Sequence, residues 1–291
     1  MKYFVLSVDI EDWFQVENLK KQIHYDEWPG KESRIDESTR VVLDILKKRD
    51  IKATFFILGW IAKRKPELVK EIACRGHEIA SHGYKHELLH KIDDSAVESD
   101  IRKSVEILSP LSQKEIIGYR APSFSITKAA ACALKAMNFV YDASLNDFQF
   151  NRRYGKIGTC NKMSRVDGSD VRFTVLENDL VEFPISVNTY LTIYWPLGGG
   201  YFRLSPMWFI RKQLHDIFRE SDIVSIYLHP WEFDPGQPRL KSLSTNYYFR
   251  HYYGLDRTAD KIDNLIRLVK NSPGVKIKTF GEMAKILARK V

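Results

Sequence analysis

No apolar run in the 291 residues approaches the roughly 20 needed to cross a bilayer, which excludes a membrane-spanning helix. Cysteine is scarce. Cys74, Cys132 and Cys160 are far apart and odd in number, so they form neither a disulfide framework nor a metal-ligand pattern. They are expected to be buried free thiols in a reducing compartment. Glycine and proline, 15 and 11 residues, are too few for a collagen-like or disordered chain. Repeats, low-complexity tracts and Pro/Gly/Ser-rich linkers are absent too, so a single domain over 1–291 is expected. The first apolar run, YFVLSV, soon gives way to acidic residues, which predicts a strand rather than a secretory leader and a cytoplasmic location. Blocks of one charge are also missing. Lys and Arg total 45 against 37 Asp and Glu, a net charge of +8, but the longest basic runs are pairs and triplets such as Lys47-Lys48-Arg49. That scatter argues against nucleic acid as a partner and leaves a mildly basic surface suited to acidic polymers or a membrane.

What is present is an alternation of short apolar strands and amphipathic helices. Strands are predicted over 3–9, 53–58, 77–81, 116–119, 139–142, 180–185, 223–228 and 275–279. Helices are predicted over 39–48, 66–76, 96–108, 128–137, 207–218, 256–270 and 280–289. In the first helix Val41, Val42, Ile45 and Leu46 share one face. Such repeated units point to an α/β fold, a parallel sheet covered by helices, and their number favours a barrel over an open sheet. Residues 151–170 are less regular and read as a surface excursion. Residues 237–253, rich in Tyr and Arg, read as a second insertion.

Three polar clusters follow apolar strands, where a parallel barrel carries its active site. The first is Asp9-Ile10-Glu11-Asp12. Carboxylates packed this closely repel unless a cation neutralises them, although a solvated, helix-capping loop would look the same. The second is Ser81-His82-Gly83-Tyr84-Lys85-His86. Histidines four apart on one helical turn can share a metal ion, commonly completed by a carboxylate. His90 lies farther on and reads as surface. The third is His229-Pro230-Trp231-Glu232, whose histidine by itself could be merely structural. Between them lie Arg120-Ala121-Pro122-Ser123-Phe124 and Tyr141-Asp142-Ala143-Ser144. An Arg at a strand end can pair with a catalytic carboxylate.

Taken in order, Asp-x-Glu-Asp, Ser-His-x-x-x-His, Arg-x-Pro-x-Phe, Tyr-Asp-x-Ser and the late His resemble the family 4 carbohydrate esterases. These are polysaccharide deacetylases of the nodulation-type chitooligosaccharide deacetylase kind. Asp9-Ile10-Glu11-Asp12-Trp13-Phe14, Glu182-Phe183-Pro184, Gly198-Gly199-Gly200-Tyr201-Phe202-Arg203 and the stretch from His251 to Thr258 resemble the branch associated with bacterial exopolysaccharide loci. That branch carries an extra C-terminal segment, here about 237–270. The resemblance implies a deformed (β/α)7 barrel, a divalent metal such as Zn2+ or Co2+, and removal of acetyl groups from an N-acetylated glycan. Asp9 would be the general base, Arg120 its orienting partner and His229 the general acid. His82 and His86 would hold the metal with Glu11 or Asp12. Glu11 leaves the strand on the same side as Asp9, which favours it. A backbone N–H near Phe124 would help form an oxyanion hole, and Asp142 would tune His229. Trp231, and less strongly Trp13, Tyr201 and Phe202, would offer a sugar platform. A hydrolase of small cyclic amides on the same scaffold and a non-catalytic saccharide-binding relative remain as alternatives. The oligomeric state is not legible.

Overall fold

Alternation along the first strand, β1 (Lys2–Ile10), organises the molecule. Phe4, Leu6, Val8 and Ile10 face the layer shared with the helices. Tyr3 and Val5 face the opposite way, into a core with Phe56, Tyr141, Phe183 and Phe280. Successive strand residues point to opposite faces, so Ser7 and Asp9 continue that inner face toward the C-terminal end of β1.

The computed structural model describes residues 1–146, 155, 157–166, 169–176, 178–190 and 193–288. Its strands continue as β2 (Thr54–Ile57), β3 (Glu78–Ser81), β4 (Gly118–Tyr119), β5 (Tyr141–Asp142), β6 (Thr159–Val166), β7 (Ser169–Leu176), β8 (Val181–Glu182), β9 (Val187–Tyr190), β10 (Ile193–Pro196), β11 (Ile223–Leu228) and β12 (Val275–Ile277). Seven parallel strands run in the order β11, β1, β2, β3, β4, β5, β8. β12 adds to the start of β1. This is the α/β architecture expected of a deformed barrel. Among the described residues no strand pairing joins β11 to β8. Side chains bridge that seam: Ser186 Oγ accepts from the Ser225 N–H at 2.8 Å, and Asp222 accepts from the Arg172 N–H at 2.9 Å.

Helices cover the outer face for local reasons. Helix Ile35–Lys48 has Asp36 and Glu37 in its first turn and Lys47 and Lys48 in its last, complementing the helix dipole, and buries Val42, Leu43 and Leu46. Asp93 and Thr127 cap the helices Asp94–Ser112 and Lys128–Ala136. Helix Phe280–Ala288 closes the barrel floor with Phe280, Met283, Ala284 and Leu287.

Several expectations are corrected. Part of the irregular 151–170 stretch belongs to the antiparallel hairpin β6–β7, which extends the sheet from β8; residues 151–154, 156, 167 and 168 lie outside the described set. A second hairpin, β9–β10, and the helices Gly199–Leu204 and Thr245–Tyr252 also follow no predicted element. The three cysteines are exposed, not buried, because they sit on outward faces or ends of their elements. Among the described residues no helix is long and apolar enough to cross a membrane.

Gly118 is needed where β4 meets β5. A Cβ there would lie 2.0 Å from Cζ of Tyr141, whose hydroxyl donates to Glu78 at 2.8 Å. Gly118→Ala should therefore lower unfolding free energy by about 1–3 kcal/mol, read as a lower urea midpoint with an unchanged slope.

Candidate active site

Strand ends deliver the polar groups to one rim. Arg120 follows β4 and is 1% exposed. Its guanidinium lies over the Phe56 ring, 4.1 Å from the centroid. Nη1 donates to Asp9 Oδ1 at 2.6 Å and to Ser7 Oγ at 2.8 Å, and Nε donates to the Ala143 carbonyl at 2.9 Å. The buried cation thus has acceptors on β1 and on the turn after β5. Asp9 Oδ2 is left toward His229, whose Nε2 lies 4.0 Å away.

Glu11, His82 and His86 converge beside this pair. Both histidine Nε2 atoms face one oxygen, Glu11 Oε1, at 3.0 and 2.9 Å. His82 Nδ1 lies 2.8 Å from the Arg120 carbonyl. A carbonyl only accepts, so Nδ1 carries the hydrogen and a neutral His82 ring turns a lone pair toward Glu11. Two acceptors facing each other this closely need a proton or a cation between them. All three residues are buried and their donor atoms lie within 4.8 Å of one another, which fits a divalent metal. Burial alone would raise the Glu11 carboxyl, but His86, His229 and His82 outweigh it and hold it well below its ordinary value. The two histidines do not share a helical turn, as their spacing suggested. They meet through a bend in which Gly83 and His86 have φ of +73° and +56°. A left-handed histidine is uncommon, and backbone strain of this kind concentrates at functional sites.

His229 follows β11, and its side chain retains 15% exposure. Glu232 Oε2 accepts from the His229 backbone N–H at 3.0 Å and faces Nδ1 at 3.3 Å. Glu232 Oε1 accepts from Arg203 Nε at 2.8 Å. Burial opposes the His229 cation, yet Glu11, Glu232 and Asp9 together raise its pKa to about 9. Burial would likewise raise Glu232, but Arg203 and His229 bring it below its ordinary value. Sequence reasoning gave Glu232 and Arg203 no role. The spacing of Glu232, three residues after His229, was a legible capping signal; Arg203 was visible only as the end of the Gly198–Arg203 motif.

Other expected site residues lie elsewhere or differ in detail. Asp12 is turned away from the histidines. Its Oδ1 accepts from the Trp13 N–H and its Oδ2 from the Ser33 hydroxyl, at 2.9 and 2.7 Å, so it caps the turn. Burial pushes its pKa up to about 6. Asp142 does not meet His229 and is fully buried. It accepts from Ser144 at 2.6 Å, whose Oγ accepts from the Ala121 N–H at 2.7 Å. Beside Asp142 lies Glu182, raised well above its ordinary value by burial and by Asp142's charge. The Phe124 N–H, expected near an oxyanion hole, donates to the Ala121 carbonyl at 2.9 Å and so has an acceptor within its own turn. Trp231, expected as a sugar platform, is buried and stacks on both His229 and His251, with centroids 5.3 and 4.5 Å away. Trp13 and Phe202 are buried. His90 is exposed.

Asp9, Glu11, His86, Phe124, His229 and Trp231 line a cleft of about 520 Å³, with Glu17 and Asn18 also lining it and exposed Tyr247 and Arg250 contributing from the C-terminal segment.

Residues 22–141 match the family described as polysaccharide deacetylase, and residues 145–286 match a domain of unknown function, DUF3473. A peptidoglycan deacetylase of Helicobacter pylori is 30% identical over 209 residues, which cover 65% of this chain and 69% of that protein. The chain therefore belongs to the polysaccharide deacetylase family, the family 4 carbohydrate esterases. A peptidoglycan-N-acetylglucosamine deacetylase of Bacillus cereus is 43% identical over 88 residues, 30% of each protein. A solved structure from Mycobacterium smegmatis, provisionally assigned as a polysaccharide deacetylase, aligns with a TM-score of 0.63 at 19% identity over 99% of this chain and 91% of that one. At that identity the likeness concerns the fold alone.

The geometry separates the two acidic candidates. His86→Ala or Glu11→Ala should weaken zinc binding by at least about tenfold by calorimetry, and Asp12→Asn should leave it within about twofold. Loss of binding in Asp12→Asn alone would reverse the choice of carboxylate.

Proposed function

We propose that the protein hydrolyses the acetamido groups of an N-acetylated glycan, releasing acetate and an amino sugar. The observation that carries this reading is the apposition of Asp9, held by Arg120, to His229 across 4.0 Å, beside two imidazoles and a carboxylate. Glu11, His82 and His86 would hold a divalent ion, and two nitrogens with one oxygen suit zinc. Such an ion supplies polarisation of the acetyl carbonyl and a more acidic water.

Asp9 is the base. Arg120 occupies Oδ1, so Oδ2 is the oxygen that takes the proton of the attacking water. His229 is the acid. Its Nε2 faces Asp9 and Glu11, and it gives a proton to the departing nitrogen, without which the tetrahedral intermediate would return to the amide. Steps of this kind contribute roughly a hundredfold to ten-thousandfold. Arg120 serves twice, orienting Asp9 with its side chain and His82 with its carbonyl. We assign residues 1–291 to one deacetylase domain that includes the 237–270 segment. The exposed rim residues of the cleft favour a polymeric substrate, of the exopolysaccharide or peptidoglycan type, over a small cyclic amide.

Acetate release from a panel of N-acetylated oligosaccharides, with and without added zinc or cobalt, tests the reading. No release from any member would overturn it. Asp9→Asn should keep metal binding and lose nearly all turnover, since the amide cannot accept a proton; near-normal turnover would remove Asp9 from the base role. His229→Ala should lose about a hundredfold or more on N-acetyl sugars and far less on an activated aryl acetate, whose phenolate leaves unprotonated. Equal losses on both would return His229 to a structural role.

The pH profile follows from the same group. His229 works protonated, so kcat/KM should fall as pH rises through its pKa. A cation on Glu11 brings that pKa down from the value of about 9 set by the three carboxylates. A rate still climbing at about pH 10 would contradict a histidine acid.

A further inference from the structure

Arg203 is buried, with a side chain 1% exposed, yet it touches neither Asp9 nor the Glu11 cluster. Its hydrogen bonds run in two directions. Nε donates to Glu232 Oε1 at 2.8 Å. Nη1 donates to the carbonyls of His251 and Tyr253 at 3.0 and 2.6 Å, and Nη2 to that of Arg250 at 3.0 Å. Those carbonyls lie at and just past the end of helix Thr245–Tyr252. Final carbonyls of a helix have no partner within it and carry its negative end, so they suit a buried guanidinium.

Glu232 passes this arrangement on. Its carboxylate only accepts, so the His229 Nδ1 opposite it carries a hydrogen, and Nε2 is left toward the cleft. Trp231 stacks on the same imidazole and is backed by His251 at a near-parallel 7°. Ring plane and tautomer of His229 are therefore both fixed from behind by residues of the 145–286 region.

We infer that Arg203 and Glu232 are positioning residues for His229, and that the segment around helix Thr245–Tyr252 serves catalysis by anchoring Arg203. The inference rests on the acid role given to His229 above. It assigns a task to a region whose family description states no function.

The test uses the full zinc-loaded chain with three variants, Glu232→Gln, Arg203→Lys and His229→Ala. Nitrogen-15 NMR of labelled histidine, assigned by the signals missing in His229→Ala, reads which ring nitrogen of His229 bears the hydrogen. Kinetics on an N-acetylchitooligosaccharide and on an aryl acetate read the consequence. In the native chain Nδ1 should be protonated. Glu232→Gln should lose that fixed state, lower kcat on the amide by about a hundredfold with KM within about threefold, and keep aryl acetate hydrolysis within about threefold. Arg203→Lys keeps the charge but not the fork, and should give the same pattern at smaller amplitude. A merely structural pair would lower both substrates alike, and that result overturns the inference. So does a native His229 with hydrogen on Nε2 alone. Native protein that shows the expected NMR pattern but deacetylates no glycan would refute the proposed function and leave the positioning of His229 standing.

Discussion

A single buried guanidinium sets the geometry of the rim. Arg120 rests on the aromatic floor of the barrel and must find acceptors there, because an unpaired buried charge costs several kcal/mol. It finds them on Ser7, Asp9 and Ala143. Its carbonyl in turn fixes the ring of His82. One residue thereby links the aromatic interior, the carboxylate facing His229 and the imidazole facing Glu11. Removing it would leave Asp9 as the uncompensated charge, so stability and chemistry are not separable at this position.

The two sequence families meet between residues 141 and 145, but the sheet does not pause there. β5 pairs with β8, and β1 with β11, across the boundary. Asp9, Glu11, His82, His86 and Arg120 come from before it, and His229 from after. The cleft is thus a seam between the halves. Only together do the halves bring His229 opposite Asp9.

Much of this was legible in the sequence because it follows from period and position. The apolar run YFVLSV gave the strand over 3–9, and the two-residue period of a strand put Glu11 on the side of Asp9. The polar clusters after apolar strands gave the rim. What escaped was fixed by distance or by backbone conformation. Histidines four apart suggested a helical turn, but the left-handed φ of His86 brings them together through a bend. Asp12 matched a ligand pattern, yet neighbouring N–H groups captured it as a cap. Asp142 was a candidate for tuning His229, but it is fully buried with Ser144 and Glu182 as its partners. The Arg203–Glu232 pair joins residues 29 apart and needs the helix after residue 244 to make sense. In the β6–β7 hairpin only the outer strand, TCNKMSRV, lacks a pattern; in β7 the buried Val171, Phe173 and Val175 alternate with Arg172 and Thr174, a period-two signal that was passed over.

The position of β1 also bears on how the chain reaches this state. β1 is flanked by β11 and, at its start, by β12, so residues 2–10 take partners from residues 223–228 and 275–277. β2 is the only strand partner of β1 close to it in sequence, and the cover of its inner face, begun by Phe56 and Tyr141, is completed by Phe280 of the last helix. Contacts this far apart in sequence slow folding, because the long loop must close before the contacts repay it. Without residues 223–228 or 275–277, β1 would keep an unpaired edge, so the centre of the sheet is assembled from segments more than 200 residues apart.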